Sequence, residues 1–192
     1  MGRTGDGIDV DWKQRARDRA TLRLSGSLRP GWCGKLATGL ARRSIGIDRG
    51  HALTVATGHW RAEFQLVVPV EPEPSPVDVG RLLSARDRAG FTTPIVLSDY
   101  ALAVSSTRGG CLALEVEGED RVGFLAALLR RLAFFALFPV ELQLDTIGET
   151  VRDQLWLRGG GGRTPLPGTA DALAASLDAL VLSRRAHADP KA

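Results

Sequence analysis

The 192-residue chain is 44% apolar and 24% charged, with 25 basic and 22 acidic side chains and a net charge of +3. This balance fits one ordinary globular domain or two small ones, and it excludes disorder over the bulk of the chain. So slight a charge gives no electrostatic footprint for nucleic acid, and no basic face with interleaved aromatics accompanies it. The longest apolar run, 132–140, falls well short of the ~18 residues that cross a membrane.

Residues 1–19 are polar and charged and lack the apolar core of a secretion signal. They read as a flexible leader, and the chain as cytoplasmic. Residues 21–25 then predict a strand, 31–43 a helix, and 45–57 with 59–68 two further strands. Four prolines at 69, 72, 74 and 76 stiffen the next loop, ahead of a helix over about 77–88. Residues 94–107 supply one or two short strands, broken near Ser98 and Asp99. From 111 to 117 the apolar residues Leu112, Leu114 and Val116 alternate, as in a strand with one buried face. Asp120 stands just before a helical run, where a carboxylate accepts hydrogen bonds from free N–H groups. Phe124, Leu125, Leu128, Leu129 and Leu132 recur at helical spacing, with Arg130 and Arg131 on the other side. Pro139 stops that helix. Val140, Leu142 and Leu144 alternate again, Gly148 turns the chain, and 151–157 forms the partner strand of a hairpin. A loop rich in glycine and proline leads to a last helix carrying Leu173, Leu177, Leu180 and Val181. Residues 186–192 form a polar tail.

These elements are two copies of one unit. Leu22, Leu24, Gly26, Gly31, Leu36 and Leu40 correspond to Leu114, Val116, Gly118, Gly123, Leu128 and Leu132, all offset by 92. Gly58, Glu63 and Leu66 match Gly148, Asp153 and Trp156 at an offset of 90. The fold class that follows is α+β: two tandem ferredoxin-like βαββαβ units, with antiparallel sheets and the helices on one face. Unit 1 spans 20–108 and unit 2 spans 109–184, between the flexible segments 1–19 and 185–192. The second unit has no fourth strand of its own after its last helix. A strand from 94–107 is therefore expected to be lent to its sheet. The face of each sheet away from the helices is expected to be covered by a second copy or a second chain, and exposed strand edges press the same way.

The run Leu114-Glu-Val-Glu-Gly-Glu-Asp-Arg-Val-Gly-Phe-Leu-Ala-Ala-Leu-Leu, followed by Asp145-Thr-Ile-Gly-Glu-Thr-Val-Arg-Asp-Gln-Leu-Trp-Leu, resembles an ACT domain. It is most similar to the C-terminal ACT repeats of the uridylyltransferase of the PII nitrogen-signalling system. The match covers about 111–182, and more loosely the first unit. ACT domains commonly bind amino acids or other small effectors and pair through their sheets. The resemblance implies binding at the turn between first strand and first helix: Leu28, Arg29, Pro30, Gly31 and Trp32 in unit 1, and Asp120, Arg121, Val122, Gly123 and Phe124 in unit 2. Asp120, Val122 and Gly123 match the family's Asp-x-Pro-Gly turn, as do Pro30 and Gly31. Val122 replaces the usual proline, and Leu28 occupies the place of the aspartate. The glycine has a physical reason, since backbone opening a helix must adopt unusual dihedrals or approach a ligand closely.

Other motifs carry less. Gly159 to Gly162 with Arg163 and Thr164 lack the lysine and spacing of a phosphate loop and read as a flexible connection. His51, His59 and His187 are scattered, with no metal-ligand spacing. Cys33, next to Trp32 at a helix start, reads as packing rather than as a nucleophile. Cys33 and Cys111 form no motif and read as reduced, half-buried thiols. Trp156 reads as cover for a sheet face, and Arg121, Arg130 and Arg131 as a solvated helix face. No catalytic set converges, and no cofactor or metal site is expected. The functional expectation is a non-catalytic regulatory protein that binds an amino acid or other small effector between paired units, as a homodimer or within the chain, with a regulated protein partner. The alternative is a structural or partner-binding module that has lost its ligand.

Overall fold

The computed structural model describes residues 2–4, 7–70, 77–84 and 93–188. Strands β1 (Gly2–Thr4), β2 (Ile8–Ala16) and β3 (Arg19–Ser27) precede helix α1 (Trp32–Ala41), strands β4 (Gly46–Ala56) and β5 (His59–Val67), and helix α2 (Val79–Ser84). Then come β6 (Leu97–Ser105), β7 (Cys111–Glu119), α3 (Phe124–Phe134), β8 (Leu137–Ile147), β9 (Thr150–Gly159) and α4 (Thr169–Ala188). Part of the helix expected over 77–88 and three of the four prolines lie outside the described residues.

All nine strands join one antiparallel sheet, in the order β1-β2-β3-β5-β4-β8-β9-β7-β6. Either side of its middle, each unit has the run of elements ββαββα, with the short β1 added outside β2 in the first. The fourth strand of the ferredoxin-like arrangement thus comes first in each unit instead of last. The strand expected from 94–107 in the second sheet is β6, paired with β7 and bulged between Leu97 and Asp99, beside the predicted break. Its counterpart in the first unit is β2, in what reads from sequence as a flexible leader. Ile8, Val10 and Trp12 pair with Gly26, Leu24 and Leu22 and pack against the core, while Asp9, Asp11 and Lys13 take the alternate positions. Three apolar side chains at period two are enough for a strand once a partner is present. The tail expected from 185 likewise continues α4 as far as Ala188.

The second block of the repeat is one residue out of step with the spacing read from sequence. Leu24 pairs with Ala62, and its counterpart Val116 pairs with Asp153. Asp153 therefore stands where the first unit has Ala62, not Glu63, and Leu157 rather than Trp156 is the counterpart of Leu66. A slip of one residue exchanges the faces of a strand. Glu63 accordingly faces away from the helices and pairs with Arg23 at 2.8 Å, whereas Asp153 is buried on the helix side.

Glycine opens both central helices. Gly31 and Gly123 precede α1 and α3 with φ of 81° and 94°, a left-handed backbone that a Cβ would strain. Beyond them Leu36, Leu40, Leu128 and Leu132 are 1% exposed or less. Helices α1 and α3 pack together across the middle of the sheet, α2 rests against α1, and α4 covers β6. The Tyr100 hydroxyl, 2.7 Å from Asp178 Oδ1 and 3.1 Å from the Ala174 carbonyl, ties α4 down.

The units join where β4 meets β8, from Arg49 opposite Asp145 to Leu53 opposite Glu141. Pairing between units thus occurs within the chain and removes two inner edges. The sheet face away from the helices, expected to be covered by a second copy or chain, is largely polar. It carries cross-strand polar pairs: Arg23 with Glu63 at 2.8 Å, Arg49 with Asp145 at 3.2 Å, Arg152 with Glu117 at 3.6 Å, and Gln154 donating to Glu115 at 2.7 Å. Each contributes a few tenths of a kcal/mol at most, but together they make a surface that water solvates well.

Two glycines of α1 give a paired test of this packing. A Cβ on Gly34 would meet only Leu129 Cβ, at 3.9 Å, whereas one on Gly39 would lie 2.7 Å from Leu82 Cδ2 in α2. Gly34→Ala is expected to stabilise the fold by about 0.5–1 kcal/mol through helix propensity. Gly39→Ala is expected to cost about 1–2 kcal/mol by overpacking. Urea denaturation of both variants checks this, and shifts of the same sign would refute the α1–α2 contact.

Candidate functional site

The turn between β3 and α1 opens onto a cavity of about 1120 Å³. Leu28, Pro30, Gly31 and Trp32 line it from that turn, and Thr54, Thr57 and Trp60 from the β4–β5 hairpin. The opposite wall comes from the second unit: Leu129, Arg130 and Ala133 of α3, Phe138 to Glu141 of β8, Trp156 and Arg158 of β9, and Arg108 before β7. Backbone pairing between β4 and β8 ends at Leu53 and Glu141. Beyond that point the cavity takes side chains from both faces of the sheet. Neither unit could form it alone.

Its aromatic parts are built firmly. Trp32 and Trp60 meet edge to face, with centroids 5.3 Å apart and planes at 70°, and Trp32 leans on Phe64 at 6.4 Å. On the other side the Arg108 guanidinium lies 3.9 Å above the Trp156 ring, within cation–π range, and is ion-paired with Glu141. Arg158 donates to the carbonyls of Arg108, Gly109 and Gly162 at 3.1–3.2 Å. Helix α1 starts at this cavity with no side chain capping it and no acidic residue in its first turn. The positive end of its dipole is left to whatever enters.

Cys33 lines the same wall. Burial, with a smaller contribution from the Asp153 charge, pushes its thiol up to about 12. It is protonated at neutral pH and unreactive, in keeping with a packing role. Both cysteines are free and buried, more deeply than the half-burial expected. Among the described residues, no group of three or more His, Cys, Asp or Glu side chains could hold a metal ion.

The structure separates the two turns that are equivalent in the repeat. Asp120, Arg121, Val122, Gly123 and Phe124 lie outside the cavity, as does Arg29. Arg121 is paired with Glu119 at 2.8 Å, Val122 is exposed, and Phe124 is buried. The surroundings of this second turn are acidic. Burial, then the charge of Asp48, raises the Asp120 carboxyl above its usual range. Asp153 is pushed up to about 7, chiefly by burial, with the charges of Asp120 and Asp145 adding and a hydrogen bond from the Asp145 backbone opposing. Trp60, Arg108, Trp156 and Arg158 also line the cavity and belong to no motif. Trp60 packs on Trp32 within the first unit, whereas only the β4–β8 junction brings Arg108, Trp156 and Arg158 to the same cavity.

No protein-family model matches the sequence, and no curated protein does. Among solved structures, the crystal structure of aspartate kinase from Synechocystis matches over 86% of this chain at 16% identity and a TM-score of 0.44. The match covers 28% of that protein's chain, so this chain spans less than a third of its length. By element content, sheet order and one-sided helix layer, the fold is α+β, with two tandem ferredoxin-like units in one antiparallel sheet.

Proposed function

We propose that this protein is a non-catalytic regulatory module that binds an amino acid or another small effector in the cavity between its two units. One observation carries the reading: a cavity of about 1120 Å³, walled jointly by both units, lies at the first strand-to-helix turn. A ligand held there touches α1, α3 and the ends of β4 and β8 at once. Its binding energy then opposes any separation of the two halves, and this is how occupancy is transmitted. A partner-only module with a filled interface fits this geometry less well.

The test is thermal melting of the full chain against the twenty amino acids and common nucleotides. An effector at 100 times its Kd stabilises the native state by about 2.7 kcal/mol, which raises Tm by several degrees in a chain of this size. A saturable rise that disappears in Trp32→Ala supports the reading. A flat response across the panel sinks it and favours a partner-binding role.

A further inference from the structure

We propose that the cavity takes an aromatic anion larger than a free amino acid, one per chain. This rests on the effector reading above and narrows it to a ligand class. Three features of the walls carry it.

The first is size. About 1120 Å³ exceeds the roughly 300–1,000 Å³ of ordinary small-molecule sites and is several times what a single amino acid fills. The second is aromatic surface. Three of the four tryptophans, Trp32, Trp60 and Trp156, line the cavity. They are 3–8% exposed, so an aromatic ligand would meet their ring edges and the Arg108 guanidinium that lies over Trp156. The third is charge. Lys35, Arg108, Arg130 and Arg158 line it against one acid, Glu141, and the uncapped start of α1 adds to the positive field. Low-dielectric walls carrying one sign of charge concentrate ligands of the other.

The same inventory disfavours a zwitterion. An amino acid brings an ammonium group that needs an acceptor, and a carboxylate is the strongest one. Among the described residues the one lining carboxylate, Glu141, is already ion-paired with Arg108. The related end of the molecule is built differently: Asp48, Asp120, Asp145 and Asp153 interact there, with Asp48 paired to Arg19 and Asp145 to Arg49.

The experiment titrates the full chain with 8-anilinonaphthalene-1-sulfonate and, as its uncharged counterpart, N-phenyl-1-naphthylamine, following tryptophan quenching. The expected result is one sulfonate bound per chain, at least about tenfold tighter than the neutral probe, the factor for about one favourable charge contact. The double variant Lys35→Glu/Arg130→Glu should lose about tenfold or more for the sulfonate and little for the neutral probe. Lys35 sits in the first turn of α1, where glutamate suits the helix dipole, so an unchanged melting temperature separates lost binding from lost fold. Displacement by adenosine monophosphate would mark a nucleotide as the natural class, and displacement by 2-naphthoate an aryl carboxylate. Equal binding of both probes, or an unaffected double variant, overturns the proposal. If free amino acids stabilise the chain and the sulfonate does not bind, the aromatic-anion proposal fails while the effector reading stands. If nothing binds at all, both fail.

Discussion

Asp153→Asn is expected to make the protein more stable at pH 8 by about 2–4 kcal/mol and to leave it nearly unchanged at pH 4, because a tenfold change in proton affinity is worth about 1.4 kcal/mol. Asp153 is 5% exposed, and its carboxyl titrates at about 7 in the folded chain, against about 3.9 when unfolded. Between those values the native state keeps a proton that the unfolded state has released. Stability is therefore full below about pH 4, falls as pH rises towards 7, and stays low above it. The chief cause is burial without a cation, and the Asp120 and Asp145 charges add to it. Asparagine keeps the shape, still accepts the hydrogen bond from the Asp145 backbone, and carries no charge to desolvate. The first unit already shows the position tolerates a neutral residue, since Ala62 occupies it there. Urea denaturation at pH 4, 6 and 8 reads the effect. A variant that is less stable than the parent at pH 8 would mean that the ionised carboxylate has a stabilising partner.

Gly50→Ala is the second large effect, expected to cost about 2–4 kcal/mol and to weaken effector binding with it. Gly50 faces Phe64 across the β4–β5 ladder. A Cβ there would stand 2.5 Å from Phe64 Cδ1 and 2.9 Å from the Glu63 carbonyl. Phe64 has no exposed surface into which to retreat, and its ring lies against Trp32. The displacement therefore reaches the cavity wall, and near-ultraviolet circular dichroism should report it. Gly46→Ala on the same strand is the control, since its Cβ would meet only Val67 Cβ, at 3.7 Å. Similar stability for the two variants would show that the Phe64–Trp32 packing is less rigid than described.

How much of this was legible beforehand follows from the range of each signal. The alternation of Leu112, Leu114 and Val116 and the helical recurrence from Phe124 to Leu132 are properties of short windows. The strand β7 and helix α3 follow from them directly. Gly31 and Gly123 announced their turns because few other residues accept the left-handed backbone found there. Trp32 stood out in the first turn, and it does line the cavity. The strand β2 is not legible in the sequence because Ile8, Val10 and Trp12 are set among charges, so its window is weak until β3 lies beside it. Glu63 and Asp153 match in sequence because both are acidic, although the true register is one residue away. Only the pairing of Val116 with Asp153 shows which carboxylate is inside.

The sequence by itself determined the doubled α+β unit, its one-sided helices and the glycine turns that open them. All of these rest on local periodicity and backbone sterics. Tertiary structure decided the rest: that the fourth strand of each unit comes first, that the units join through β4 and β8, and that the two related turns differ. One turn opens on a large aromatic cavity and the other sits among carboxylates. The reason is that a site between two units is made by register and by burial. Trp32 and Trp156 become neighbours of one cavity only because distant strands pair at one particular offset, and no local pattern encodes that offset.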